Sequence, residues 1–173
     1  EKYYLRNANW HPDFEQSAND IKDLYFKVTG KKVDGVIAVD LNLATNILKV
    51  TGPVYLTAFG EEINENNLYE RTQYHSGFNY ENGSNQKKDF LTVLGSKVLE
   101  NIFSLDKNDL PNLLEKVETS LSQKHLLVSL SNSTLSAELN KQNWDGGLVS
   151  TKEDYLYVVN ANVGGTKSNY YVE

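Results

Sequence analysis

The chain has no cysteine and no methionine, and it has three prolines in 173 residues. Without cysteine, a disulfide framework, a thiolate metal site and a cysteine nucleophile are excluded. Histidine is scarce as well. His11, His75 and His125 lie far apart and form no His-x-x-x-His pair, so a local zinc signature is missing. There is no apolar run near the roughly 20 residues that span a bilayer, and no leader pattern at the start. Positive charge is also short. The formal net charge of −6 argues against nucleic-acid binding, which depends on neutralising phosphates with a basic face.

What is present suits a folded domain. The chain is 39% hydrophobic and 23% charged, which excludes a wholly disordered reading. Its length suits one α/β domain over residues 1–173. The absence of methionine and the strand-like opening Glu1 to Arg6 give the expectation of a piece of a longer protein.

Tyr3 to Arg6 reads as extended, and Asn7 to Gln16 as a loop. Ser17 is expected to cap a helix whose apolar face is Ile21, Leu24, Tyr25 and Val28, ending at Gly30. Val33 to Val39 reads as a buried strand, and Asp40 as the cap of a second helix with Leu41, Ala44, Ile47 and Leu48 inward. That helix must stop by Gly52-Pro53. A strand over 54–59, a turn at 60–62 and a short helix over 64–74 follow. The stretch His75 to Asn85, rich in Gly, Asn and Ser, is expected to be a mobile surface loop, with His75 to Ser84 the most flexible internal stretch.

Two helices carry the clearest periodicity. One runs over about 85–103 with Phe90, Leu91, Leu94, Val98 and Ile102 on one face. The other runs over 109–123 with Leu110, Leu113, Leu114, Val117 and Leu121. A strand over 126–130, a helix over 133–142 and a turn at Asp145-Gly146-Gly147 come next. The chain ends in a hairpin around Gly164-Gly165-Thr166. Amphipathic helices alternating with strands predict a mixed β-sheet flanked by helices, in a three-layer α/β/α sandwich.

Three segments are unusual together: Tyr4-Leu5-Arg6-Asn7-Ala8-Asn9-Trp10-His11-Pro12-Asp13-Phe14, Val33 to Asp40 with Thr51-Gly52-Pro53-Val54, and Asn160 to Tyr170. With them almost the whole chain resembles a bacterial envelope-associated family described only as a domain of unknown function. A second similarity is to the LytR-CpsA-Psr phosphotransferases. Arg6-Asn7 stands at that family's strand-end Arg-Asp, Tyr69-Glu70-Arg71 at its Tyr-x-Arg, and Gln86-Lys87-Lys88-Asp89-Phe90-Leu91 at its Arg-Gln-Gln-x-Phe-Leu helix start.

That resemblance implies an extracytoplasmic domain at the bacterial cell surface, membrane-anchored through segments outside this chain. Its partner would be a polyprenyl-pyrophosphate glycopolymer or a cell-wall polymer. It would be a phosphotransferase with Mg²⁺ as cofactor, with Arg6 catalytic and with Arg6, Arg71, Lys87 and Lys88 binding phosphate. Several converging cations are what a pyrophosphate requires. The alternative is a non-catalytic binding or structural envelope module of the same fold. Asn7 in place of an acid favours that alternative, whereas the retained Arg6 and the basic helix start at Lys87-Lys88 favour the phosphotransferase, although lysine lacks the planar bidentate fork of an arginine.

Other candidates have plainer readings. Asp34 and Asp40 could ligate a metal, although Asp40 stands where a helix cap belongs. The three histidines read as packing or surface residues, Lys31-Lys32 as a solvated turn, and Trp10 and Trp144 as covers over the sheet edge.

Overall fold

The structure, a computed structural model, describes Leu5 and residues 8–75, 86–149 and 151–159, and of residues 86–88 the backbone alone. The elements are α1 (Phe14–Thr29), β1 (Gly35–Val39), α2 (Leu41–Thr51), β2 (Val54–Leu56), β3 (Glu61–Ile63) and α3 (Leu68–Gln73). They continue with α4 (Gln86–Phe103), α5 (Leu110–Ser122), β4 (Leu126–Leu130) and α6 (Ser133–Lys141). The fold is mixed α/β, as expected.

Among the described residues the strands form two antiparallel pairs, β1 with β4 and β2 with β3, rather than one mixed sheet. The reason for the second pair is local. Phe59 N–H and Gly60 N–H both return to the Leu56 carbonyl at 2.9 Å, which ends β2 after three residues and folds β3 back on it. The expected turn at 60–62 therefore becomes a turn over 57–60 followed by a strand. β1 and β4 pair with Gly35 opposite Leu130 and Val39 opposite Leu126. A side chain at Gly35 would meet the Ser129 carbonyl oxygen at 2.6 Å, so that close approach needs glycine.

Helix starts are set by carboxylates and amides. Asp13, not Ser17, caps α1, accepting from Glu15 N–H at 2.9 Å and Gln16 N–H at 3.3 Å. Ser17 instead lies buried inside the helix, where its hydroxyl donates to the His11 carbonyl and accepts from the His11 N–H. Asp40 caps α2 as expected. Gly30 ends α1 in the left-handed conformation at φ 69°.

One apolar cluster joins α2, β2, β3, α3, α4 and α5, with Leu48, Leu56, Ile63, Leu68 and Phe90 almost wholly enclosed. The expected faces of α4 and α5 need correction at one residue and at two, respectively. Phe90, Leu94 and Val98 are buried but Leu91 is exposed. Leu113 and Leu121 are buried while Leu110 and Leu114 face solvent, Leu114 at 66% exposure. The inward line on α5 runs through Leu113, Val117, Ser120 and Leu121, because Ser120 meets Asn46 of α2 at 3.2 Å. On α1, Val28 is also exposed.

β1 is not the fully buried strand its sequence suggests. Val36 and Ala38 point inward, while Ile37 and Val39 on the opposite face are 64% and 63% exposed. Tyr155 to Val159 carries no strand, and the rest of the expected hairpin lies outside the described residues, as do residues 76–85 of the expected loop. No helix among the described residues is long and apolar enough to cross a membrane.

Candidate functional site

A group of ionisable and aromatic side chains forms where β3, α3 and α4 meet. Glu61 opens β3 just after the Gly60 turn. Arg71 and His75 follow on α3 and the turn that continues it, four residues apart and therefore on one side. The Glu61 carboxylate bridges them, with Oε2 accepting from Arg71 Nε and Oε1 bonded to His75 Nε2. An ionised carboxylate only accepts, so His75 Nε2 carries the proton.

Aromatic rings enclose the histidine. His75 is 7% exposed, stacks on Phe90 with centroids 4.4 Å apart, and meets Phe59 edge-on at 4.9 Å. Arg71 in turn lies over the Tyr74 ring at 4.6 Å. Burial works to raise the Glu61 carboxyl. The hydrogen bonds with Arg71 and His75, reinforced by their charge, outweigh it and hold the group below its ordinary value. Thr72 Oγ1, on the same short helix, is buried without a partner.

The four cations expected to bind phosphate fare unequally. Arg6 and its neighbour Asn7 lie outside the described residues, and so do the side chains of Lys87 and Lys88, whose backbone forms the first turn of α4. Arg71 is described and is committed to Glu61. The His75–Phe90 stack sets the end of α3 beside the beginning of α4, so the segments carrying Arg71 and Lys87-Lys88 are neighbours.

Asp40 has a second role besides capping. Its Oδ2 lies 2.7 Å from His125 Nδ1, tying α2 to the start of β4. Burial pushes its carboxyl up. Hydrogen bonds from Leu43 N–H, His125 and Asn42 overcome that and lower it. Among the described residues no group of three or more His, Asp or Glu could hold a metal ion, so neither Asp34 nor Asp40 belongs to such a set. Trp10, expected as a cover, is 66% exposed.

Sequence did not single out Glu61, and His75 read as a packing or surface residue, of which packing is what the structure shows. The four-residue spacing of Arg71 and His75 was a usable signal, but their acidic partner sits ten residues before Arg71 on a different element.

The family described as Protein of unknown function (DUF4012) matches residues 1–76. The match takes in α1 to α3 with Glu61, Arg71 and His75. It leaves out α4 onward, and so covers less of the chain than the resemblance implied. No curated protein and no solved structure matches the chain.

Proposed function

We propose that this chain is a non-catalytic binding or structural module of an extracytoplasmic bacterial cell-envelope protein, with a LytR-CpsA-Psr-like fold but without phosphotransfer chemistry. The observation that carries this reading is the commitment of Arg71. Its Nε is bonded to Glu61 and its guanidinium carbon lies 4.6 Å from the centre of the Tyr74 ring. Turning the guanidinium toward a pyrophosphate would leave a mostly buried carboxylate short of a partner, which is costly. Here Arg71 acts as a strut between α3 and β3.

The second reading is a phosphotransferase that takes a polyprenyl-pyrophosphate glycopolymer with Mg²⁺, using Arg6, Arg71, Lys87 and Lys88. One observation favours it, namely the contact that sets the end of α3 beside the basic start of α4.

Titration of a polyprenyl-pyrophosphate analogue in millimolar Mg²⁺ separates the two readings, using wild type, Arg6→Ala, Arg71→Ala and Lys31→Ala. The module reading expects no saturable binding and no difference among the variants. Saturable, salt-sensitive binding that Arg6→Ala or Arg71→Ala weakens by about tenfold or more, and Lys31→Ala does not, overturns it; that is the size of one hydrogen bond to a charged group.

A further inference from the structure

Away from the residues of the Glu61, Arg71 and His75 cluster, α1 and α6 face each other across an open groove of about 790 Å³. The groove follows from the two helix patterns. Glu15, Asn19 and Lys22 recur at four- and three-residue spacing on α1, and Ser133, Ser136 and Asn140 at three and four on α6. Two helices with apolar stripes would close on each other. These two present amide, hydroxyl and charged groups, and the small residues Ser133, Ser136 and Ala137 leave the space between the walls unfilled. The side chains of Asn19, Ser133 and Ser136 have no hydrogen bond to another described residue.

At one end sits Asp145, 7% exposed. Its carboxylate is aimed by Asn140 Nδ2 at 2.9 Å and by Gly147 N–H at 3.2 Å, which leaves acceptor capacity on both oxygens. The loop is fixed in place because Phe14 N–H bonds the Gly146 carbonyl at 3.1 Å. At the other end the groove runs into a smaller cleft of about 280 Å³ that shares Asn19, Lys22 and Ser131 and reaches the half-exposed ring of Phe26. From Glu15 to Phe26 the α1 wall is about 16 Å long at 1.5 Å per residue.

We propose that this groove binds a neutral oligosaccharide. A sugar hydroxyl both donates and accepts, as the serine and asparagine side chains do, and Asp145 adds a fixed acceptor for hydroxyl protons. The half-exposed Phe26 ring, with the Lys32 ammonium 5.8 Å from its centre, adds apolar surface at the far end of the groove. Glu15 and Asp145 balance Lys22 and Lys141 along the walls, so the groove favours no strongly charged ligand. The site is separate from the Glu61, Arg71 and His75 cluster and does not depend on its role.

The test titrates neutral tetrasaccharides of α- and β-linked glucose and of N-acetylglucosamine, with spermidine as a charged comparison, followed by backbone amide NMR shifts. At least one sugar should bind saturably and shift amides of α1 and α6. Ser136→Trp, which fills the groove from an already solvent-facing helix, should abolish that binding. Asn19→Ala, at an exposed position, should weaken it about fivefold, and Lys97→Ala, on the surface of α4, should leave it unchanged. Binding of no sugar at millimolar concentration, binding of spermidine alone, or equal sugar binding by Asn19→Ala and Ser136→Trp overturns the proposal.

Discussion

The part of the molecule built on α2, β2, β3, α3, α4 and α5 and the part built on α1, β1, β4 and α6 use similar elements to opposite effect. In the first, apolar stripes from different helices meet and close over Phe90 and Leu48. In the second, the sheet shows Ile37 and Val39 to solvent, and α1 and α6 stand apart across polar walls. The difference shows that amphipathicity alone does not close a core. Closure needs two apolar stripes brought to the same place, and α6 has no buried residue with which to do it.

The contrast is sharpest at Phe90. Its replacement by alanine should destabilise the protein by roughly 3–5 kcal/mol, because a filled site beneath α3 and α4 is emptied. Urea unfolding measures this. A loss below about 1 kcal/mol would mean that the first region is as loosely closed as the second.

Glu61→Ala should come next, at about 1.5–3 kcal/mol for a hydrogen bond to a charged group. Its pH dependence has a definite sign. The folded carboxyl is held below its ordinary value of 4.5, so the stabilisation is complete above that pH and is lost as pH falls through the lower folded value. The stability gap between wild type and Glu61→Gln, followed by urea unfolding at stepped pH, should therefore narrow below about pH 4.5. A gap that widens on acidification would contradict the bridge.

In the second region the largest local effect expected is at a helix cap. Asp13→Ala should cost about 0.5–2 kcal/mol, and Ser17→Ala should not reproduce the loss of helix-start protection in amide exchange. Equal deprotection by the two would restore Ser17 as the cap.

The smallest effect is expected at Leu114, inside the well-packed region but on its outer side. Leu114→Ala should change stability by less than about 0.5 kcal/mol, while Leu113→Ala should cost roughly 2–5 kcal/mol. Similar values for the two would mean that α5 is rotated.

Much of the local structure was legible in the sequence. The ends of α2, α4 and β4, the Asp40 cap and the Gly30 stop follow from interactions within a few residues, which periodicity and capping chemistry record directly. Which of two adjacent leucines on α5 turns inward did not follow, because a five-residue stripe leaves the helix free to rotate by about one position. That rotation was set by Asn46 reaching Ser120 from α2.

Tertiary structure alone decided the pairing of strands and the two clusters. β1 could have joined β2, its next neighbour in sequence. Instead it meets β4, while the tight turn after Leu56 gives β2 to β3. Glu61 and His75 belong to a turn and a polar stretch when read along the chain, and His125 is 85 residues from Asp40. Sequence determined the composition, the absence of thiol chemistry and the spans of α2, α4 and β4, because those are properties of the chain itself and of its near neighbours. The partners of Glu61, Asp40 and Asp145 were decided by where distant elements came to rest. A carboxylate takes its role from the donors that reach it, and local sequence does not encode those donors.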